Sequence, residues 1–160
     1  MHPAFEDVVA RSLDDLYAGA LYLCVGREEE AEALVTTSLV EASRRYRAER
    51  PVDPVFFLET RLVRTLLDGG TGQSASPGAD RTYREVTAGA EAMEVFEALA
   101  GLTAPIRCTV WLVVVRRRRY GQVAAALRTS REQIAGWVRE GHRRMSRSGF
   151  STRLRERYEA

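Results

Sequence analysis

Apolar residues recur at spacings of three and four along almost the entire chain of 160 residues. No segment alternates convincingly between apolar and polar residues with a period of two. This periodicity favours helices over strands, so we expect an all-α fold. The pattern predicts helices over 5–25, 28–47, 54–67, 82–99 and 103–116. The first helix is expected to bury the side that carries Leu13, Leu16, Tyr17, Ala20, Leu21 and Cys24.

A stretch rich in Gly and Ser divides the helical pattern near the middle of the chain. Residues 68–80 contain no large apolar residue, which is typical of a flexible linker. We therefore expect two small helical domains, at 1–68 and 82–160, joined by a linker at 69–81.

The two halves of the chain carry opposite charge. Residues 101–160 hold fourteen Arg against four acidic residues, whereas residues 1–100 hold ten Arg against eighteen acidic residues. The small net charge of +2 hides this asymmetry. A basic half of this kind is typical of a domain that binds nucleic acid.

The composition argues against an enzyme, a metal site and a membrane protein. Lys is absent, which excludes a phosphate-binding loop or a Schiff-base cofactor that needs one. No Cys/His cluster predicts a metal, and Cys24 and Cys108 are expected as buried, reduced thiols. The longest apolar run, 110–115, is too short to cross a bilayer, and the start lacks a secretory signal. We therefore expect a cytoplasmic protein with no catalytic residues, cofactor or membrane partner.

A helix-turn-helix pattern lies within the basic half. A short amphipathic segment at 120–127 is followed by a three-residue turn and a second helical segment that starts at Arg131. Ser130 and Gln133 have the spacing of a capping box, which predicts the start of the second helix. A helix held in this way fits the major groove of DNA.

The second helix of this pattern separates an apolar stripe from a polar face. The stripe consists of Ile134, Trp137, Val138, Gly141 and Met145. On the polar face, Gln133 is suited to adenine, Arg139 is suited to guanine, and Gly136 would allow close approach of the backbone. The other candidate DNA contacts, several of them placed to meet phosphates, are Arg131, Arg143, Arg144, Arg147, Arg116, Arg117, Arg118 and Arg119.

The chain resembles the extracytoplasmic-function sigma factors of bacterial RNA polymerase. In the second half, the residues similar to sigma region four are Leu102-Thr-Ala-Pro105, Arg107, the apolar run to Val115, Tyr120, Val123-Ala124, Leu127, Ser130 and Ile134. In the first half, the segments 26–35 and 57–68 are similar to two motifs of sigma region two.

The resemblance implies a promoter-recognising factor that binds RNA polymerase core. Region four reads the −35 promoter element with its second helix, and an anti-sigma protein is a possible further partner. The polymerase-binding surface implied by region two falls on Ala33, Thr36, Thr37 and Val40.

The chain departs from the family pattern at several functional positions. The family usually has Asp, Gln and Glu at the positions of Ala33, Thr36 and Thr37. The other departures are Arg64 in place of Asn, Arg117 and Arg128 in place of glycines, and Glu140 in place of a common Arg. Two alternatives therefore stay open: a sigma-like DNA-binding regulator that does not open promoters, and a helical module that binds proteins.

Overall fold

The computed structural model describes residues 2–69 and 96–147, and all regular structure in these two ranges is helical. The expected all-α class is thus confirmed for this part of the chain. Contacts divide the chain into two compact units, Met1–Gly72 and Gln73–Ala160. The predicted linker beyond Gly69, the predicted helix before residue 96 and the basic tail from residue 148 lie outside the described residues.

The first unit contains three helices that pack against one another: α1 (Phe5–Leu23), α2 (Glu28–Glu49) and α3 (Pro54–Gly69). Each helix contributes an apolar stripe to one core, as the three- and four-residue spacing requires. The buried residues include Leu16, Ala20, Leu23, Ala31, Leu34, Val35, Ala42, Phe57, Leu58, Leu62, Val63 and Leu66.

The predicted buried side of α1 was wrong at Leu13, which is 42% exposed. The buried face of α1 instead includes Ser12 and Gly19, which have small side chains and do not read as apolar. Because α1 packs with Ser12 and Gly19 towards the core, Leu13 lies at the side of the helix and outside the buried face. Tyr17 and Leu21, which were also predicted to lie on the buried side of α1, are only half-buried.

The second unit is built from a helical stretch at 96–100, α4 (Ala104–Val110), a π-helix (Trp111–Val115), α5 (Tyr120–Ala126) and α6 (Arg131–Arg147). Helix α6 packs on both α4 and α5. The core consists of Leu99, Leu102, Ile106, Cys108, Val110, Trp111, Leu112, Val123, Ala126 and Ile134.

The helix predicted to run to residue 116 changes type at Trp111. The backbone N–H of Arg116 donates to Trp111 O at 2.9 Å, and that of Arg118 donates to Leu112 O at 2.9 Å. These wider turns place an extra residue in the helix. Trp111 and Leu112 stay buried, while Val114 and Val115 are 59% and 49% exposed. Thr103 precedes α4 as expected, but its side chain makes no capping hydrogen bond.

Within residues 2–69 and 96–147, four residues other than glycine adopt the left-handed backbone conformation: Val25, Arg50, Arg117 and Arg128, with φ between 43° and 58°. Each lies just after a helix. At the end of α5 the N–H of Thr129 donates to Ala124 O and that of Arg128 donates to Ala125 O, the two bonds of a Schellman motif. Glycine is the usual residue at the left-handed position of this motif, because a Cβ there is strained.

Neither Cys24 nor Cys108 forms a disulfide, and both are buried, as expected. In the parts of the chain that the structure describes, no helix is long and apolar enough to span a bilayer.

Candidate nucleic-acid interface

Helices α5 and α6 are joined by a tight turn at residues 127–130. The Ser130 hydroxyl accepts a hydrogen bond from the Gln133 backbone N–H at 3.1 Å, so the predicted N-cap of α6 is present. At the start of α5, the Gln122 side chain accepts a hydrogen bond from the Arg119 N–H at 3.1 Å. These two caps satisfy backbone donors that a helix start otherwise leaves unpaired, and they fix where each helix begins.

The inner side of α6 is held close to α4 by a glycine. An ideal Cβ built at Gly141 would lie 2.6 Å from Val110 Cγ2 and 3.3 Å from Ile106 Cγ2. No side chain fits there without displacing buried neighbours. Ile134, which lies two helical turns before Gly141 on the same side of α6, is fully buried in the same core. Ile134 and Gly141 of the predicted apolar stripe are buried and fix α6 on the unit, whereas Trp137, Val138 and Met145 are half-buried.

The outer side of α6 presents the side chains that the sequence assigned to base recognition. Arg131, Gln133 and Arg139 are exposed, and Gly136 is half-buried. A Cβ at Gly136 would meet no atom within 4 Å, so the space over this glycine is open. Among the described residues, the side chains of Arg131 and Arg139 make no hydrogen bond or ion pair. This face can therefore meet a partner without first breaking internal contacts.

The C-terminal half of the same face is occupied by an ion-pair network around Glu140. The Glu140 carboxylate accepts hydrogen bonds from Arg143 at 3.0 and 2.6 Å and from Arg144 at 2.7 Å. Arg144 also donates to Gly101 O at 3.0 Å. These arginine hydrogen bonds lower the pKa of Glu140 from 4.5 to about 2, so the carboxylate stays ionised at neutral pH.

Two of the predicted DNA contacts, Arg143 and Arg144, are thus engaged within α6 itself. The predicted contact Arg147 belongs to the last turn of α6, and its side chain lies outside the described residues. The free part of the face is its N-terminal half.

The arginine run 116–119 leads from the π-helix into α5. Arg117 and Arg119 are exposed, while Arg116 and Arg118 are half-buried. The left-handed backbone at Arg117 turns the chain between the two helices. The predicted phosphate contacts in this run therefore lie at the start of α5, in the same compact unit as the face of α6.

The candidate polymerase contacts are brought together on α2 in the first unit. Ala33, Thr36, Thr37 and Val40 are all exposed and follow the spacing of one helix face. Val40 is 46% exposed. These four side chains include two hydroxyls and no charged group, but the exposed residues Glu29, Glu32, Glu41 and Arg44 lie one helical turn away on the same helix.

The described residues contain no group of three or more Cys, His, Asp or Glu side chains arranged to hold a metal ion. His142 is exposed on α6, as the sequence predicted. The described part of the interface presents guanidinium, amide and backbone groups beside the carboxylates of Glu132 and Glu140. Guanidinium, amide and backbone groups bind anions and the edges of bases.

Sequence reasoning missed the roles of Glu140 and Arg128. Glu140 was assigned to the polar face, although the spacing to Arg143 and Arg144, three and four residues later, is that of helical ion pairs. Arg128 was noted only as a replaced glycine. Its left-handed conformation belongs to the Schellman motif that ends α5. The sequence around this turn contains no glycine that would have predicted the motif.

No protein-family model matches this chain, and a comparison with curated proteins found no match either.

Proposed function

We propose that the protein binds duplex DNA by placing α6 in the major groove. The observation that carries this proposal is the α5–turn–α6 arrangement: a capped helix fixed through Gly141 and Ile134, with Gln133 and Arg139 exposed on the opposite side. A helix held at its base and free along its outer face is what major-groove reading requires. The excess of arginine in residues 101–160 supplies attraction to the phosphate backbone.

Within this proposal, the protein acts in transcription initiation as a factor of the extracytoplasmic-function sigma type, in the cytoplasm. The resemblance of both halves supports this assignment. So does the left-handed backbone at Arg117 and Arg128, the two positions where that family has glycine. The corresponding polymerase-binding surface would be the exposed face of Ala33, Thr36, Thr37 and Val40. An anti-sigma protein is a possible further partner.

The alternative is a DNA-binding regulator that does not open promoters. The observation that favours it is on the same face of α2, where the exposed residues Ala33, Thr36 and Thr37 themselves carry no carboxylate or amide. Both candidates share the DNA-binding unit and differ only in what the first unit does.

The test begins with the full chain and a pool of random duplexes, from which bound sequences are selected. We expect a defined site, and binding that weakens steeply as salt rises, because phosphate contacts release counterions. The selected site is then placed in a template with RNA polymerase core. A specific transcript supports the sigma factor, and site binding without a transcript supports the regulator. Failure to select any sequence, together with negligible duplex affinity at low salt, rejects DNA binding and leaves the protein-binding module.

The ion-pair network gives a prediction about affinity. Glu140→Gln removes the carboxylate that holds Arg143 and Arg144, and it also removes a negative charge from the DNA-facing side of α6. We expect duplex binding to tighten by about tenfold, with a steeper dependence on salt. Fluorescence anisotropy against salt concentration measures both quantities.

The matched control for this prediction is Glu132→Gln on the same helix. It removes the same charge, and Glu132 forms no ion pair among the described residues, so no arginine is released. Equal tightening by the two variants would show that net charge alone sets affinity and that the network around Glu140 has no specific effect.

A further inference from the structure

Two exposed arginines hold strained backbone at the two ends of α5. Arg117 precedes this helix with a φ of 55°, and Arg128 follows it with a φ of 54°. In this region of backbone space an L-residue brings its Cβ close to its own carbonyl oxygen, whereas glycine is unstrained. Glycine would therefore satisfy the backbone at both positions better than arginine does.

The described fold makes no use of these two side chains. Both are exposed, and neither forms a hydrogen bond or an ion pair with any residue in 2–69 or 96–147. The hydrogen bonds at the turn after α5 include the backbone bond from Arg128 N–H to Ala125 O. A strained residue whose side chain supports nothing within the fold indicates a function outside it.

The chemistry of that function follows from the side chain and its place. Guanidinium groups bind phosphate oxygens through two parallel hydrogen bonds. In a helix-turn-helix the first helix crosses the DNA backbone while the second enters the groove. Arginines at both ends of the first helix are therefore placed to meet backbone phosphates.

We propose that Arg117 and Arg128 grip DNA phosphates on either side of α5 and so fix the position of α6 in the groove. This inference rests on the proposed DNA binding. The two contacts are independent of sequence and set register only, while Gln133 and Arg139 read bases. In this arrangement the Schellman turn after α5 presents a cation to the DNA.

The test uses the full chain with Arg117→Gly, Arg128→Gly and the double variant. Each substitution relieves backbone strain, so the urea midpoint followed by circular dichroism should rise. Affinity for the selected duplex should fall, and the slope of log K against log salt should decrease by about one for each arginine removed. Because stability and affinity move in opposite directions, loss of binding cannot be attributed to unfolding.

Arg50→Gly provides the matched control. Arg50 is also exposed, also has a left-handed backbone with a φ of 43°, and also ends a helix, but it lies in the first unit. It shares any general benefit of arginine at a helix C-terminus. We expect the same gain in stability with no change in the salt slope.

The outcomes separate the inference from the proposed function. If the unmodified chain does not bind duplex DNA, the proposed function fails. If it binds, but the slope of log K against log salt is unchanged in Arg117→Gly and Arg128→Gly, the proposed phosphate contacts of these two arginines are rejected. These contacts are also rejected if Arg50→Gly lowers the slope as much as those two variants do, since charge alone then explains the effect.

Discussion

Gly141→Ala is expected to destabilise the second unit by about 1–3 kcal/mol relative to Gly136→Ala. At Gly141 the new methyl group would lie 2.6 Å from Val110 Cγ2, inside a packed core, whereas at Gly136 it would meet open space. Both variants gain the same helix propensity, about 1 kcal/mol, because they lie on the same helix. Their difference therefore isolates the cost of the close approach between α6 and α4.

Urea unfolding followed by tryptophan fluorescence measures this difference. Trp111 and Trp137 are the two tryptophans of the chain, and both belong to the second unit. Equal midpoints for the two variants would show that α6 does not depend on Gly141 for its position. Gly136→Ala carries a second expectation: DNA affinity should fall despite the gain in stability, because the added methyl group separates the α6 backbone from the groove.

Arg139→Ala and Gln133→Ala are each expected to weaken binding to the selected duplex by about 1–3 kcal/mol. Both side chains are exposed on α6, whereas Ile134 of the same helix is fully buried. Gln133 is uncharged, so its loss should relax selectivity at one base pair and leave the salt slope unchanged. Arg139→Ala should also relax selectivity at one base pair. Because it removes a positive charge, it should in addition reduce the salt dependence of binding.

The measurement is anisotropy titration against the selected duplex and against single-base variants of it. Arg44→Ala is the control, since it removes an exposed arginine from the first unit. If Gln133→Ala weakens binding equally on every duplex, the side chain does not read a base. If neither Gln133→Ala nor Arg139→Ala changes affinity, the reading face lies elsewhere on the unit.

Sequence reasoning predicted the helical elements of the described ranges well because amphipathic periodicity and capping residues are local signals. The start of α2 at Glu28 and the cap at Ser130 follow from such signals. The burial of Phe57 and Leu66 follows from spacing on α3. All of these depend on residues within one or two helical turns.

The features that could not be predicted arise from tertiary packing or from backbone conformation. The exposure of Leu13 is set by the small buried residues Ser12 and Gly19, which have no apolar signature. The π-helix at 111–115 was not anticipated, because its residues are also compatible with an α-helix. For the candidate site, the sequence placed Gln133 and Arg139 on a polar face and both are exposed, while the engagement of Arg143 by Glu140 required side-chain geometry.

The π-helix has a consequence for tolerance to changes in chain length. Adding a residue to an ordinary α-helix rotates everything after it by about 100° around the axis. A π-helical turn accommodates the extra residue by widening locally. The residues that follow therefore keep their orientation around the helix axis. The run Val113-Val114-Val115 yields the same sequence whichever valine is deleted, and two of these valines are exposed. A shortened chain can therefore close this turn as α-helix and leave the following arginine run and α5 in register.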